Sequence, residues 1–212
     1  MLQQQRKYYE NRAKVLLKNL RSRSFEAYYC ENSGEALKKA LELIPKGVTV
    51  GLCGTVSAEQ IGLLEAVKGN DYQVIDREEA KTAEERGELA RQALLAHTFI
   101  TGSNAISLDG QLVNIDRTGN RVASIAYGPE SIIVIAGMNK VADTLEAAIS
   151  RARSVAAPVH AQHFPVKTPC KETGICADCK SEDCICNQLL ITRRSKPAGR
   201  IKVILVGEPL GF

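Results

Sequence analysis

The chain has 212 residues, 44% hydrophobic and 25% charged, a balance that suits a folded soluble protein and excludes a disordered or fibrous one. The net charge of +4 arises in the stretches Arg6 to Arg23 and Arg193 to Lys202; with no tryptophan and no recognisable binding module, it does not make a nucleic-acid face. No apolar run approaches the roughly 20 residues a bilayer demands, and the opening MLQQQRKYYENR is too polar for a secretory signal, so a cytoplasmic protein without membrane insertion is expected.

Tyr9, Ala13, Leu16, Leu17 and Leu20 recur at helical spacing and predict an amphipathic helix over 3–22, within an N-terminal segment 1–22. Phe25 to Cys30 reads as a strand, and Asn32 with Glu35 forms a capping box before a helix that Pro45 and Gly47 end. Val48 to Cys53 is a β-branched run entering a glycine turn, after which Ser57 and Gln60 are placed to cap a helix through Val67. Tyr72 to Asp76 gives a strand, 78–96 a long charged helix and Thr98 to Thr101 another strand. This alternation predicts a three-layer α/β/α fold with a mostly parallel central sheet, in a single domain over 1–212.

After Gly102 the pattern changes. Ile106 to Leu108 and Gln111 to Val113 flank Asp109-Gly110, the signature of an inserted β-hairpin. Thr118 to Tyr127 suits a short helix and Ile132 to Ala136 a buried strand, and Val141, Leu145, Ala148, Ile149 and Ala152 make a helical stripe. Leu189 to Arg193 and Lys202 to Val206 add late strands.

In open α/β sheets ligands collect beyond the carboxyl ends of strands, and three loops qualify. In the first, residues 51–57, Gly51 and Gly54 permit close approach of backbone, and Thr55 and Ser57 offer hydroxyls at a helix N-terminus, a setting for an anion. The second joins Gly102, Ser103 and Asn104 to Asn114, Asp116, Gly119, Asn120 and Arg121, a density of small polar groups suited to hydroxyl, carboxylate or phosphate. The same residues also suit a pair of turns held by their own hydrogen bonds. The third contains Asn139 and Lys140, the lysine facing either an anion or solvent. Cys53, near a helix N-terminus that lowers a thiol pKa, and Asp116 are the candidate catalytic groups. His97 stands at a helix–strand junction, and His160 and His163, close in sequence, are expected to lie far from these loops.

Five of the seven cysteines, Cys170, Cys176, Cys179, Cys184 and Cys186, fall in a knuckle over 168–188. The CxxC pair Cys176–Cys179 with two of the others suits tetrahedral zinc, while the spacing departs from the ferredoxin pattern of an iron-sulfur cluster. Disulfides or free buried thiols are the competing reading. No nucleotide cofactor is expected.

The run TGSNAISLDGQLVNIDRTGNRVASIAYGP at 101–129, with IIVIAGMNKV, TPCKETGICADCKSEDCICN and the ending GRIKVILVGEPLGF, resembles the LUD-domain, or lactate-utilisation protein, family. That resemblance spans most of the chain from residue 51 onward. It implies a fold like that of sugar-phosphate isomerases and CoA transferases, and service in lactate oxidation with iron-sulfur partner proteins. More distantly, residues 51–57 are similar to the phosphate loop of ribose-5-phosphate isomerase. Where that enzyme has an Asp-Gly-Ala-Asp-Glu run, this chain has Thr101, Gly102, Ser103, Asn104 and Ala105, so the proton-transferring carboxylates are missing.

The expected function is therefore binding of a small anionic organic acid or derivative. A non-catalytic scaffold or metal-responsive adaptor is the first alternative, and an isomerase- or transferase-type enzyme using Asp116 or Cys53 the second. Oligomerisation stays open.

Overall fold

The structure, a computed structural model, describes residues 1–212. Helix α1 (Gln3–Ser22) forms as the periodicity predicts, with Tyr9, Ala13, Leu16 and Leu20 buried on one face and Lys7, Lys14 and Lys18 in water. Strand β1 (Glu26–Cys30) follows, then α2 (Ser33–Leu43), capped by Asn32, whose side chain accepts the Glu35 amide at 3.0 Å. Strand β2 (Thr49–Leu52) leads into two short helices, α3 (Val56–Gln60) and α4 (Leu63–Lys68), in place of the single helix expected. Gly62 breaks it by taking φ 76°, and Ser57 lies inside α3 and caps nothing.

Strand β3 (Gln73–Asp76), α5 (Ala83–Gln92) and β4 (Thr98–Gly102) come next. Helix α5 is shorter than 78–96 because two side chains divert the backbone at its start. Asp76 accepts the Glu78 amide at 3.0 Å in a tight turn, and Thr82 accepts the Glu85 amide at 3.1 Å as the true cap. The hairpin of β5 (Ala105–Ser107) and β6 (Leu112–Asp116) turns at Gly110, φ 92°. It is followed by α6 (Asn120–Ala126), β7 (Ser131–Gly137), β8 (Val141–Ala142) and α7 (Leu145–Arg151). Val141 thus sits in a strand and not in the helical stripe.

Helix α7 continues through a wider π turn at Ala152–Ala156 into α8 (Ala157–Ala161). Pro158 explains the widening: it has no amide for the carbonyl four residues back, and its ring crowds that turn. The short α9 (Pro169–Thr173), β9 (Gln188–Thr192) and β10 (Ile201–Val206) complete the chain.

Six strands form one all-parallel sheet in the order β1-β10-β7-β4-β2-β3. Every residue of β7 is buried, Ile132, Val134 and Ala136 on one face and Ile133 and Ile135 on the other. Each such isoleucine contributes roughly 1.5–3 kcal/mol by leaving water. Helices α1 and α6 cover the first face, and α2, α3 and α4 the second, which gives the three layers expected from the alternation.

The hairpin is the core of a second sheet, ordered β8-β5-β6-β9. One of the two late strands therefore joins the hairpin and the other the main sheet. Ala148 and Ala152 pack on Ala105, Val113 and Ile115, so the long α7–α8 helix covers this smaller sheet. No helix is long and apolar enough to cross a membrane.

Gly110 also lets the hairpin meet α1: a Cβ there would lie 2.9 Å from the Asn19 carbonyl carbon and the Leu20 nitrogen. Gly110→Ala should cost about 2–4 kcal/mol in urea denaturation, combining a left-handed backbone with overpacking against a helix. Gly47→Ala, at φ 75° but with nothing within 4 Å, should cost only about 1–2 kcal/mol. Equal losses would show that the contact with α1 is not what requires Gly110.

Candidate functional site

The loop after β2 and the turn after β3, at the carboxyl ends of the parallel sheet, meet the end of β6 from the second sheet, and between them lies a cavity of about 330 Å³. Four arginines line it, Arg77, Arg86, Arg117 and Arg121, against one acidic lining residue, Asp116. Cys53, Gly54, Thr118 and Asn120 line it from the loops, while His160, Phe164 and Ile185 close it from α8 and the segments that follow. The arginines have partners of different strength. Arg86 holds Glu78 at 2.5 Å, but Arg117 meets Asp183 only at 3.9 Å and Arg121 meets Asp116 at 4.0 Å. The buried Arg77 Nε makes no well-aligned hydrogen bond but lies 3.4 Å from the same Glu78 oxygen that Arg86 holds.

Asp116 and Arg121 are held firmly. One Asp116 oxygen accepts the amides of Arg121 (2.9 Å) and Val122 (3.3 Å), so the carboxylate caps α6, and Gly119 at φ 89° lets the chain turn back to allow it. Arg121 donates to the Asn104 side-chain oxygen at 2.9 Å and to the Ile115 carbonyl. Burial, with Arg121 adding, pushes His160 down to about 4, so the pocket holds a neutral imidazole at physiological pH. Cys53 is buried, and its thiol lies 3.3 Å from Thr101 Oγ1 and 3.5 Å from the Ile100 carbonyl. Burial raises its pKa despite Arg121, the opposite of the activation expected from a helix N-terminus, so it is no ready nucleophile.

A second polar cluster lies under the last residues of the chain. Lys140 is 5% exposed and donates to Ser57 Oγ at 2.9 Å, while Ser57 Oγ stands 3.4 Å from the Leu210 carbonyl. Asn139 accepts the Leu210 amide at 3.1 Å, and Gln60 accepts that of Gly211 at 2.7 Å. Gly211 fits so closely that a Cβ would fall 2.7 Å from Ser57 Oγ and 2.9 Å from Lys140 Nζ. With no carboxylate at hand, burial first and then Arg151 and Arg121 bring Lys140 down to about 7.

The sequence pattern of the LUD domain matches residues 13–206. The chain belongs to the LUD domain family, which is associated with lactate utilisation. Among solved structures, a duf162 family protein from Deinococcus radiodurans is similar at 14% identity, covering 95% of this chain and 98% of that one with a TM-score of 0.53. That likeness concerns the fold. A structure of eIF2B delta from Chaetomium thermophilum is 20% identical over 50% of this chain and 47% of that one, with a TM-score of 0.33. No curated protein matches.

Of the site residues read from the sequence of this LUD domain, the arginine pocket takes Cys53, Gly54, Asp116, Asn120 and Arg121. The others do local work. Gly51 packs under Phe99, where a Cβ would come within 3.1 Å, and Gly102 meets Thr55 Oγ1 in the same way at 2.8 Å. Ser103 donates to the Ala105 (2.8 Å) and Val113 (3.1 Å) carbonyls, and Asn104 accepts the Ile115 amide at 2.9 Å. Asn114 is buried with both amide atoms unpartnered. His160, expected to lie away from the loops, lines the pocket, because α7–α8 runs past it. Arg86 and Arg117 carry no sequence signal of their own, one being within a charged helix and the other within a polar turn. Arg77 carried a legible signal, since it directly follows a strand.

All five clustered cysteines line one separate cavity of about 200 Å³, together with Arg153 and Pro158 of the long helix. Cys186 donates its amide to Cys184 Sγ at 3.4 Å, and Thr168 Oγ1 lies 3.4 Å from Cys170 Sγ. Burial, reinforced by the other four sulfurs, pushes the Cys186 thiol up to about 12. No three of these groups are gathered tightly enough to hold an ion.

Lys140 gives the site a pH signature. Its folded pKa is about 7 against 10.5 unfolded, so between those values the unfolded chain carries a proton the folded chain lacks. Stability therefore rises with pH across that window, by at most about 1.4 kcal/mol per unit, and the cost of the buried ammonium is fully present below pH 7. Replacing the amine removes this dependence. Lys140→Met should be relatively more stable than the parent chain at pH 6 than at pH 9 in urea titrations; parallel pH profiles would refute the assignment.

Proposed function

We propose that this LUD domain binds a small anionic organic acid of the 2-hydroxy acid class in the arginine pocket and serves lactate oxidation beside iron-sulfur partner proteins. The observation that carries this reading is the lining itself, four arginines against a single acidic residue around a cavity of about 330 Å³. A carboxylate takes the paired donors of a guanidinium in its own plane. Arg77 Nε, which faces Glu78 at 3.4 Å without a well-aligned hydrogen bond, and the loosely paired Arg117 are donors that such a ligand would satisfy. A neutral His160 is suited to a ligand hydroxyl, and Gly54 leaves room for backbone approach.

Proton-transfer chemistry of the isomerase kind has little support. Thr101 and Ala105 are fully buried, Asn104 is committed to Ile115 and Arg121, and Asp116 is committed to the amides of α6. Binding is thus the activity that the pocket residues favour. The adaptor reading draws on a different observation, the exposure of Ile175 (70%) and Leu189 (50%) near the cysteine cavity.

Titration calorimetry with lactate, a dicarboxylate and inorganic phosphate tests the proposal. Lactate or the dicarboxylate should bind, and Arg117→Met and Arg86→Met should each weaken that binding about 10-fold or more, the worth of a charged hydrogen bond. Lys14→Met, on the exposed face of α1, should leave it unchanged. If none of the three acids binds, the pocket reading fails and the adaptor reading stands in its place.

A further inference from the structure

We infer that the cysteines of 170–186 hold a thiolate-bound metal centre whose occupation sets the wall shared with the arginine pocket. Five sulfurs line one cavity of about 200 Å³. Soft sulfur donors gathered around one cavity select thiophilic metals. Two of the sulfurs already have polar hydrogens beside them: the Cys186 amide points to Cys184 Sγ, and the Thr168 hydroxyl lies next to Cys170 Sγ. Donors of that kind support a ligating thiolate from outside the coordination shell.

The cysteines are not yet at ligand distance from a common point. The backbone between Ile175 and Cys186 is the part that can close the gap, held to the rest of the chain chiefly by Asp183 on the Lys167 amide (2.8 Å), Ser181 on the Lys167 carbonyl (3.0 Å) and the Asp178–Arg153 pair. It lies in no helix or strand, and its one backbone-to-backbone hydrogen bond runs from Cys184 to the Ser181 carbonyl. Drawing this segment in around a metal moves Ile185, which sits between Cys184 and Cys186 and lines both cavities, as Ile115 does. The movement has a second path. Asn187 donates to the Cys184 carbonyl (3.2 Å) and to the Arg117 carbonyl (3.1 Å), and Arg117 faces Asp183. Metal occupation thereby tightens the loop that presents Arg117 to the pocket.

Protein purified without oxygen or chelator should contain either about one zinc per chain, or iron with acid-labile sulfide; the two results separate a single ion from a cluster. Metal-free protein titrated with Co(II) should develop sulfur-to-cobalt charge-transfer absorption. Cys179→Ser should weaken it, and Cys30→Ser, on the opposite side of the main sheet, should not. Hydrogen exchange reads the coupling without any anion present. Metal removal should speed exchange at 175–187 and at 115–121 by about tenfold or more. Protein free of metal as purified, with no cobalt–sulfur absorption and with thiols equally reactive with and without Co(II), would overturn the metal centre. Bound metal with unchanged exchange at 115–121 would overturn the coupling. Neither result bears on whether lactate binds, so this inference and the pocket reading fail separately.

Discussion

Burial of β7 on both faces is the constraint from which the rest of the architecture follows. With Ile132, Val134 and Ala136 on one side and Ile133 and Ile135 on the other, the strand has no face that tolerates water. Its neighbours β4 and β10 run parallel to it, and parallel neighbours need crossovers that return over the faces of the sheet. Helices must therefore cover both faces, leaving only the strand ends open to solutes. Arg77, Cys53 and Lys140 all follow carboxyl ends, where the loops leave the sheet. The site is where it is because the middle of the sheet is sealed.

Within that frame the pocket arginines divide the work. Arg121 is committed to Asn104 and the Ile115 carbonyl and so ties α6 to the hairpin. Its charge still reaches the pocket, since it is among the groups that lower His160 and Lys140. Arg86 and Arg117 are different. Their partners Glu78 and Asp183 are substantially exposed, and such pairs contribute only about 0–1 kcal/mol. A ligand carboxylate can replace them at little cost to the fold. One arginine thus builds the wall while others remain available to a ligand.

The strands and most helices were legible because their burial is periodic, and the hairpin because Asp109-Gly110 needs little context. Individual roles were less so. Gly51 and Gly54 look alike in the sequence, yet one is the third residue of β2, packed on Phe99, and the other faces the pocket. Ser57 and Lys140 are 83 positions apart, and only the meeting of the segments after β2 and β7 at the carboxyl edge of the sheet, across β4, reveals that they touch. His160 was unreadable for a sharper reason. Its direction depends on the π turn before Pro158, which breaks the periodicity by which a helix face is projected.

That π turn also relates the two cavities. Arg153, within it, lines the cysteine cavity and is paired with Asp178; His160, one turn beyond, lines the arginine pocket. A regular helix would rotate His160 relative to Arg153 by a different angle, since a wide turn adds a residue without completing extra rotation. The same helix packs through Ala148 and Ala152 on Val113 and Ile115, and Ile115 belongs to both cavities. Close-packed apolar walls pass on displacement because they have no slack to absorb it. Ile115 and Ile185 belong to two apolar clusters that meet at Cys186, and both line the two cavities, so sulfur chemistry and guanidinium chemistry lie on either side of the same few residues.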